Sequence, residues 1–396
     1  MRLRARSAPS APTQRTPEMQ RERFKVIISD CHMSAGRFFE GHLNPHEDFH
    51  ADGELADLLE HFSTGQYGID AHGPVEVELV INGDFFDFLG VPYQGEFIDV
   101  ITEDISLYKT EAIIAGHPRV MAALRRFASF SGKTITYMMG NHDTDLMFDK
   151  VRERIIRELD PEGEFPGQKI SVLHDRDRIE LPEGVEIRHG NQFEQASMIS
   201  YEKPFIDMYE GKPALNIPWG SFFVLKIVNR LKWERDYINK VRPLKAFILF
   251  GLVMDTRFSM KYCFLAAYYF FKTRLAMLPR LRSGFSAVKE FVVDAIRNEA
   301  RIFMDLEKDA RAILDAKKSV NTVVFGHSHR PMNRVYPDGK QYINTGTWVN
   351  MINLDWQGLG QQSGRTFALV TLDGGQAKCE LRQWSGERGP HQVFQG

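Results

Sequence analysis

The stretch FKVIISDCH, Phe24 to His32, decides how the rest of the chain is read. Its apolar run stops at Asp30 and His32, the pattern of a buried strand that delivers polar side chains at its tip. The same design recurs along the chain. Val75 to Asn82 (VEVELVIN) runs into Gly83 and Asp84, and Thr134 to Met139 (TITYMM) into Gly140, Asn141, His142 and Asp143. Val185 to Arg188 (VEIR) meets His189, and Thr322 to Phe325 (TVVF) meets Gly326, His327, Ser328 and His329. Helical patterns lie between these strands, as over Glu54 to Phe62 and Ile113 to Phe130. Alternation of strands and helices predicts an α/β architecture with its ligand site at the strand ends.

The C-terminal part reads differently. Thr366 to Leu372 and Ala377 to Trp384 are strand-like and joined by a turn at Asp373, Gly374 and Gly375, while Asp338 and Gly339 mark another hairpin. Hairpins closing such a chain predict mixed sheets and not purely parallel ones. Residues 200–290 carry no strand-then-polar-tip pattern. Their two apolar runs, Ala246 to Met254 and Tyr262 to Phe271, are each about half the ~20 residues a membrane-crossing helix needs. We read 200–290 as a helical insertion that splits a core of 23–199 and 291–390. Residues 1–22, with five arginines among Ser, Pro and Thr and no apolar run, read as a disordered basic tail.

The polar tips share a chemistry. Asp, Asn and His bind divalent cations of intermediate hardness, and no Cys pair accompanies them, which argues against a closed structural zinc site. A lone Asp-x-His at a strand end is usually incidental. Five such clusters, each following a strand, are not. A pair of cations about 3.5–4 Å apart, bridged by a carboxylate, is the standard device for hydrolysing phosphate esters.

The ordered set D-x-H, G-D-x-x-D, G-N-H-D, H and G-H-x-H resembles the calcineurin-like metallophosphoesterases. The resemblance implies a four-layer αββα sandwich of two mixed sheets. It implies that Asp30, His32 and His329 bind one metal, that Asn141, His189 and His327 bind a second, and that Asp84 bridges them. His142 would sit beside the substrate, stabilising the pentacoordinate phosphorus or protonating the leaving oxygen, Asp143 would orient its imidazole, and Asp87 would support the ligands. The expected reaction is hydrolysis of a phosphate ester or pyrophosphate by water activated between the metals. His189 is preferred to His174 because it directly follows a strand and precedes Gly190. The ligand mix suits Mn, Fe or Zn, with Mn favoured.

Net charge is only −2, so nucleic acid exerts no overall pull on the chain. The charge is nevertheless segregated: Tyr201 to Glu290 holds 16 Lys and Arg against 7 Asp and Glu, a surplus of +9 that leaves −11 elsewhere. A basic segment dense in Phe, Tyr, Trp and Leu suits an anionic membrane surface or an amphiphilic phosphate substrate. A cap in this interval resembles the UDP-2,3-diacylglucosamine hydrolases, which implies a lipid-linked or nucleotide-linked diphosphate. Some of those enzymes carry Arg where this chain has His142. Two other readings compete: a membrane-associated scaffold that has lost catalysis, and a nuclease. The aromatic density of the insertion argues against the nuclease. Three cysteines without paired spacing suggest a reducing, cytoplasmic setting, with the insertion able to hold the chain on the inner face of a membrane.

Overall fold

The computed structural model describes residues 21–165, 169–209, 211–242, 244–277, 306–354, 360–386 and 391–394. The tail expected over 1–22 lies outside them except for its last two residues, as do 278–290 of the insertion and 291–305 of the core. Fifteen strands build the sheets that matter for the site. In chain order they are β1 (Arg23–Ile28), β2 (Glu76–Asn82), β3 (Lys133–Met138), β4 (Ile170–Leu173), β5 (Ile179–Leu181), β6 (Val185–Ile187) and β7 (Val241–Arg242). They continue with β8 (Thr322–Phe325), β9 (Met332–Val335), β10 (Gln341–Asn344), β11 (Asn350–Asn353), β12 (Gly360–Ser363), β13 (Thr366–Asp373), β14 (Gln376–Trp384) and β15 (His391–Val393).

Seven of these form a sheet in the order β15-β14-β13-β1-β2-β3-β4, and five form a second in the order β9-β10-β8-β6-β5. Both are mixed. In the first, β1 to β4 run parallel and β13 lies antiparallel against β1. In the second, β6, β8 and β10 run parallel, with β5 and β9 antiparallel at the edges. The turns at Asp338–Gly339 and Gly374–Gly375 close the β9–β10 and β13–β14 hairpins.

Alternation along the strands explains how the sheets pack. Ile27, Val80 and Met138 of the first sheet meet Val185, Ile187, Val324 and Ile343 of the second in a closed apolar interior. The opposite face of the first sheet, with Val26, Ile28, Leu79, Ile81 and Ile135, is covered by helices α1 (Asp52–His61), α2 (Glu103–Gly116), α3 (Pro118–Ser129) and α4 (Asp149–Leu159). The outer face of the second sheet, with Val323, Phe325 and Tyr342, is covered by Leu306, Ala310 and Leu314 of a helix over Leu306–Ala316. The result is the expected four-layer αββα sandwich.

Two local readings need correction. The single helix predicted over Ile113 to Phe130 is two, because Pro118 cannot continue α2 and instead opens α3. The insertion is not wholly helical. It begins with a hairpin of Phe205–Tyr209 and Lys212–Leu215, and β7 joins β11 and β12 in a small sheet. Its helices are α5 (Trp219–Phe223), α6 (Asn229–Lys232), α7 (Leu244–Met254) and α8 (Thr256–Met277), with a π-helical stretch at Val224–Val228 between the first two.

The break at His117 has an energetic role. Its buried imidazole bonds Asp52 Oδ1 at 2.8 Å and Glu47 Oε2 at 3.1 Å, pinning α1 and the 44–49 loop to the α2–α3 junction. Burial alone would lower its pKa, but the two carboxylates overcome that and raise it to about 9. A histidine whose folded pKa exceeds its unfolded value of 6.5 stabilises the fold fully below that value and stops doing so as pH climbs through about 9. The loss should be on the order of a few kcal/mol. Thermal midpoints are expected to fall between pH 6.5 and 9.5 more steeply in the native chain than in His117→Gln. Parallel curves would remove this role from His117.

Candidate metal centre

Every polar tip anticipated in the sequence comes from the carboxyl end of a parallel strand. Asp30 and His32 follow β1, Asp84 follows β2, Asn141 follows β3, His189 follows β6, and His327 and His329 follow β8. Since the two sheets face each other with these ends together, the tips converge. Ligand-type atoms of Asp30, His32 and His329 lie within 4.8 Å of one another, as do those of Asp84, His189 and His327, and those of His32, Asp84 and His142. His174, after the edge strand β4, joins none of these groups.

The first group centres on Asp30 Oδ1, which lies 3.3 Å from His329 Nε2 and 3.8 Å from His32 Nε2. Those two nitrogens face each other at 2.9 Å. In the second, Asp84 Oδ2 lies 3.1 Å from His189 Nε2, and 3.8 Å from His32 Nε2 on the other side. Asp84 therefore stands between the groups. Asn141 Oδ1 is buried without a hydrogen-bond partner. Buried polar atoms are nearly always satisfied, so a carbonyl oxygen left this way at a strand end suits a cation ligand.

Backbone geometry carries the same message. Asp30, His32, Asp84, His327 and His329 have positive φ of 51–65°, and they are five of the eight such non-glycine residues among those described. Left-handed backbone costs non-glycine residues about 1–3 kcal/mol each and gathers where function demands it. The glycines preceding the ligands are required for a different reason. A Cβ on Gly140 would stand 2.3 Å from Asp84 Oδ1, and one on Gly326 would stand 2.5 Å from Asp30 Oδ2. The strand ends approach too closely for any side chain there.

Surrounding bonds fix each candidate ligand. The amide of His327 donates to both Asp30 oxygens, at 3.1 and 2.9 Å, and Ser29 Oγ donates to Oδ2. Thr347 Oγ1 donates to the Asp30 carbonyl at 2.6 Å, so the Asn344-to-Trp348 loop supports the ligand's backbone. His189 Nδ1 bonds the Asn82 carbonyl at 2.7 Å, which leaves Nε2 for the site. His327 Nε2 bonds Glu194 Oε2 at 2.6 Å, leaving Nδ1. The sequence reading missed Glu194; its place five residues after His189 belongs to no motif.

His142 also differs from expectation. Its Nδ1 bonds Asp87 Oδ1 at 2.9 Å, not Asp143. Asp143 instead accepts from Tyr137 Oη at 2.7 Å, the Gly140 amide at 2.5 Å and the Phe85 amide at 3.2 Å, so it ties the Asp84 and Asn141 loops together. A D-x-x-D spacing brings Asp87 back beside the G-N-H-D loop, whereas Asp143, next in sequence, is turned inward. Cys31, between Asp30 and His32, points into the apolar core as alternation predicts.

Electrostatics describe a site short of positive charge. Burial opposes ionisation of Asp30 and Asp84, but neighbouring imidazoles hold both carboxyls far below the usual range. Burial likewise opposes protonation of His189 and His142. The Asp84 carboxylate nevertheless raises His189 to about 10, and Asp87 with Asp84 raises His142 to about 9. His329 behaves oppositely, since burial pushes it down to about 4 and keeps it neutral beside Asp30, so the balancing protons gather on His189 and His142 around Asp84.

The insertion is fastened to this centre. Asp48, fully buried, pairs with Lys232 at 2.7 Å and Lys240 at 3.2 Å, and Asn229 Nδ2 donates to the Leu89 carbonyl at 2.7 Å. Ser221 of α5 reaches the Asn141 carbonyl at 3.4 Å. Ser221 of the insertion therefore borders the candidate centre at Asn141.

Fold and site together define a four-layer αββα sandwich with a His, Asp and Asn cluster of metal-ligand type at its strand ends. No protein-family model and no curated protein matches the chain. Among solved structures, a dimetal phosphatase from Danio rerio is similar at 11% identity, over 94% of this chain and 98% of that one, with a TM-score of 0.38. A calcineurin-like phosphoesterase from Bacillus subtilis is similar at 11% identity, over 94% and 88%, with a TM-score of 0.31. A predicted phosphoesterase from Streptococcus pneumoniae is similar at 10% identity, over 95% and 98%, with a TM-score of 0.27. These likenesses are distant, and the functional reading rests on the side chains.

Proposed function

We propose that the chain is a metal-dependent phosphoesterase that hydrolyses a phosphate ester or anhydride at a two-cation centre. The observation that carries this reading is Asp84, a buried carboxylate set between two groups of converging ligands. Asp30, His32 and His329 would hold one divalent cation, Asn141, His189 and His327 the other, with Asp84 shared. Such cations supply Lewis acidity to a phosphoryl group and to water, and Mn is the favoured metal, ahead of Fe or Zn.

The chain's own residues do the rest. Asp87 fixes the His142 ring through Nδ1, so Nε2 is the atom free to carry a proton toward the leaving oxygen. The ring is partly accessible and packs edge-on to His32, with centroids 4.6 Å apart, which sets it at the rim of the ligand groups. Asp143, Tyr137 and the loop amides keep the Asp84 and Asn141 strand ends in register. Glu194 orients His327 and keeps that imidazole available through its other nitrogen.

For the substrate we propose an amphiphilic phosphate, such as a lipid-linked or nucleotide-linked diphosphate, because an aromatic-rich, basic insertion borders the centre through Ser221. The test compares purified, Mn²⁺-loaded protein on a simple aryl phosphodiester and on a UDP-linked lipid. Hydrolysis of the lipid-linked diphosphate with much the higher kcat/KM is expected. Turnover of the aryl ester alone would retain the phosphoesterase and reject the substrate class. Turnover of neither would favour the scaffold reading.

A further inference from the structure

We propose that α7 and α8 form a docking surface for an anionic lipid bilayer. The inference stands apart from the phosphoesterase reading, since it concerns a face that carries no ligand residue.

Helix α8 is apolar on two sides. Its inward side places Phe258 and Tyr262, with Leu265 and Tyr269, against Ile227, Leu231 and Ile238 in a small core of the insertion's own. Its outward side presents Met260, Phe264, Tyr268 and Phe271, spaced i, i+4, i+8 and i+11, as one exposed stripe, with Phe264 69% and Phe271 55% accessible. One inward stripe is all that packing requires, so the second is surplus to the fold. Helix α7 also exposes apolar side chains: Leu249 is 66% exposed, Val253 75% and Met254 84%. The two helices are held close at Gly251, where a Cβ would come within 2.4 Å of Ser259 Oγ. Apolar exposure on both helices of a pair, in register along one face of α8, marks an interaction site.

Charge selects the partner. Leu244 to Met277 contains Lys245, Arg257, Lys261, Lys272 and Arg274 against a single acid, Asp255; Asp255 pairs with Arg235 at 2.8 Å and Lys261 pairs with Glu234. Arg257 and Lys272 are exposed near the two ends of the α8 stripe. Lys272 lies 5.8 Å from the ring centroids of Tyr268 and Tyr269, an aromatic and cationic pairing suited to a headgroup layer. Among the described residues no helix is long and apolar enough to cross a membrane. A helix pair with an exposed apolar stripe and basic flanks lies in the interface plane and prefers anionic lipid.

Vesicle flotation with the full chain tests this. Phosphatidylglycerol-containing vesicles are expected to carry the protein, and pure phosphatidylcholine vesicles are not. Substituting Leu249, Val253, Met254 and Phe264 together by Ser should cut the bound fraction about tenfold with the circular dichroism spectrum unchanged. Arg257→Glu with Lys272→Glu, which leaves the stripe intact, should abolish the preference for anionic vesicles. Three results would each overturn the proposal: no flotation with anionic vesicles, equal flotation of the charge-reversed variant, or a dimer in sedimentation velocity that the Ser substitutions dissolve. The last would assign the face to a second copy of the chain.

Discussion

Asp84→Asn is expected to lower metal-dependent hydrolysis by at least about a thousandfold while leaving the fold intact. The carboxylate is within 3.1 Å of His189 and 3.8 Å of His32, and its other oxygen accepts the His142 amide at 2.8 Å. Asparagine keeps the shape and one acceptor oxygen but removes the negative charge that lets a single side chain serve two cations. The main cost should fall on metal retention and turnover. In the cation-free protein protonated His189 and His142 hold the Asp84 carboxyl ionised, so neutralising it is also expected to lower the thermal midpoint. Turnover measured at saturating Mn²⁺, alongside a melting curve, checks both halves. Full activity in this variant would mean that the chemistry occurs elsewhere.

The second large effect belongs to His142. His142→Gln should reduce kcat by about 10²–10⁴-fold with metal content retained, because the ring lies at the rim of the ligand groups and is held through Nδ1 by Asp87. A proton donor to the leaving oxygen matters most when that oxygen is basic. The loss should therefore be severe for alkyl phosphodiesters and slight for nitrophenyl esters, whose leaving groups need no proton. Asp87→Asn should move activity in the same direction by less, since it loosens the ring without removing it. A uniform loss across leaving groups would make His142 a ligand, a role its place in one ligand group with His32 and Asp84 permits.

The layered architecture was legible because its cause is local. An apolar run ending in Asp30 or His327 records both a buried strand and the side of the sheet on which the chain emerges. Convergence of the tips follows from parallel pairing of β1 with β2, of β2 with β3, and of β6 with β8. What could not be read depends on contacts between segments far apart in sequence. The partner of His142 is Asp87, 55 residues away, and sequence adjacency favoured Asp143 only until the loop was seen to turn it toward Tyr137. Glu194 carries no motif at all, and its role is set by the arrival of His327 from 133 residues on. The division at Gly116, His117 and Pro118 was available in the sequence, because proline rarely continues a helix, yet the apolar period ran across it. The hairpin opening the insertion was hidden for the opposite reason: Phe205–Tyr209 is too short and mixed to stand out beside the long apolar runs that follow.

The central claim is that two divalent cations share Asp84, and cation stoichiometry tests it most directly. Protein stripped with a chelator, reloaded with Mn²⁺ and freed of excess metal should hold about two ions per chain by elemental analysis. Asp84→Asn treated alongside it should hold fewer. Recovery of no tightly held metal, or an unchanged count in the Asp84 variant, would contradict the account.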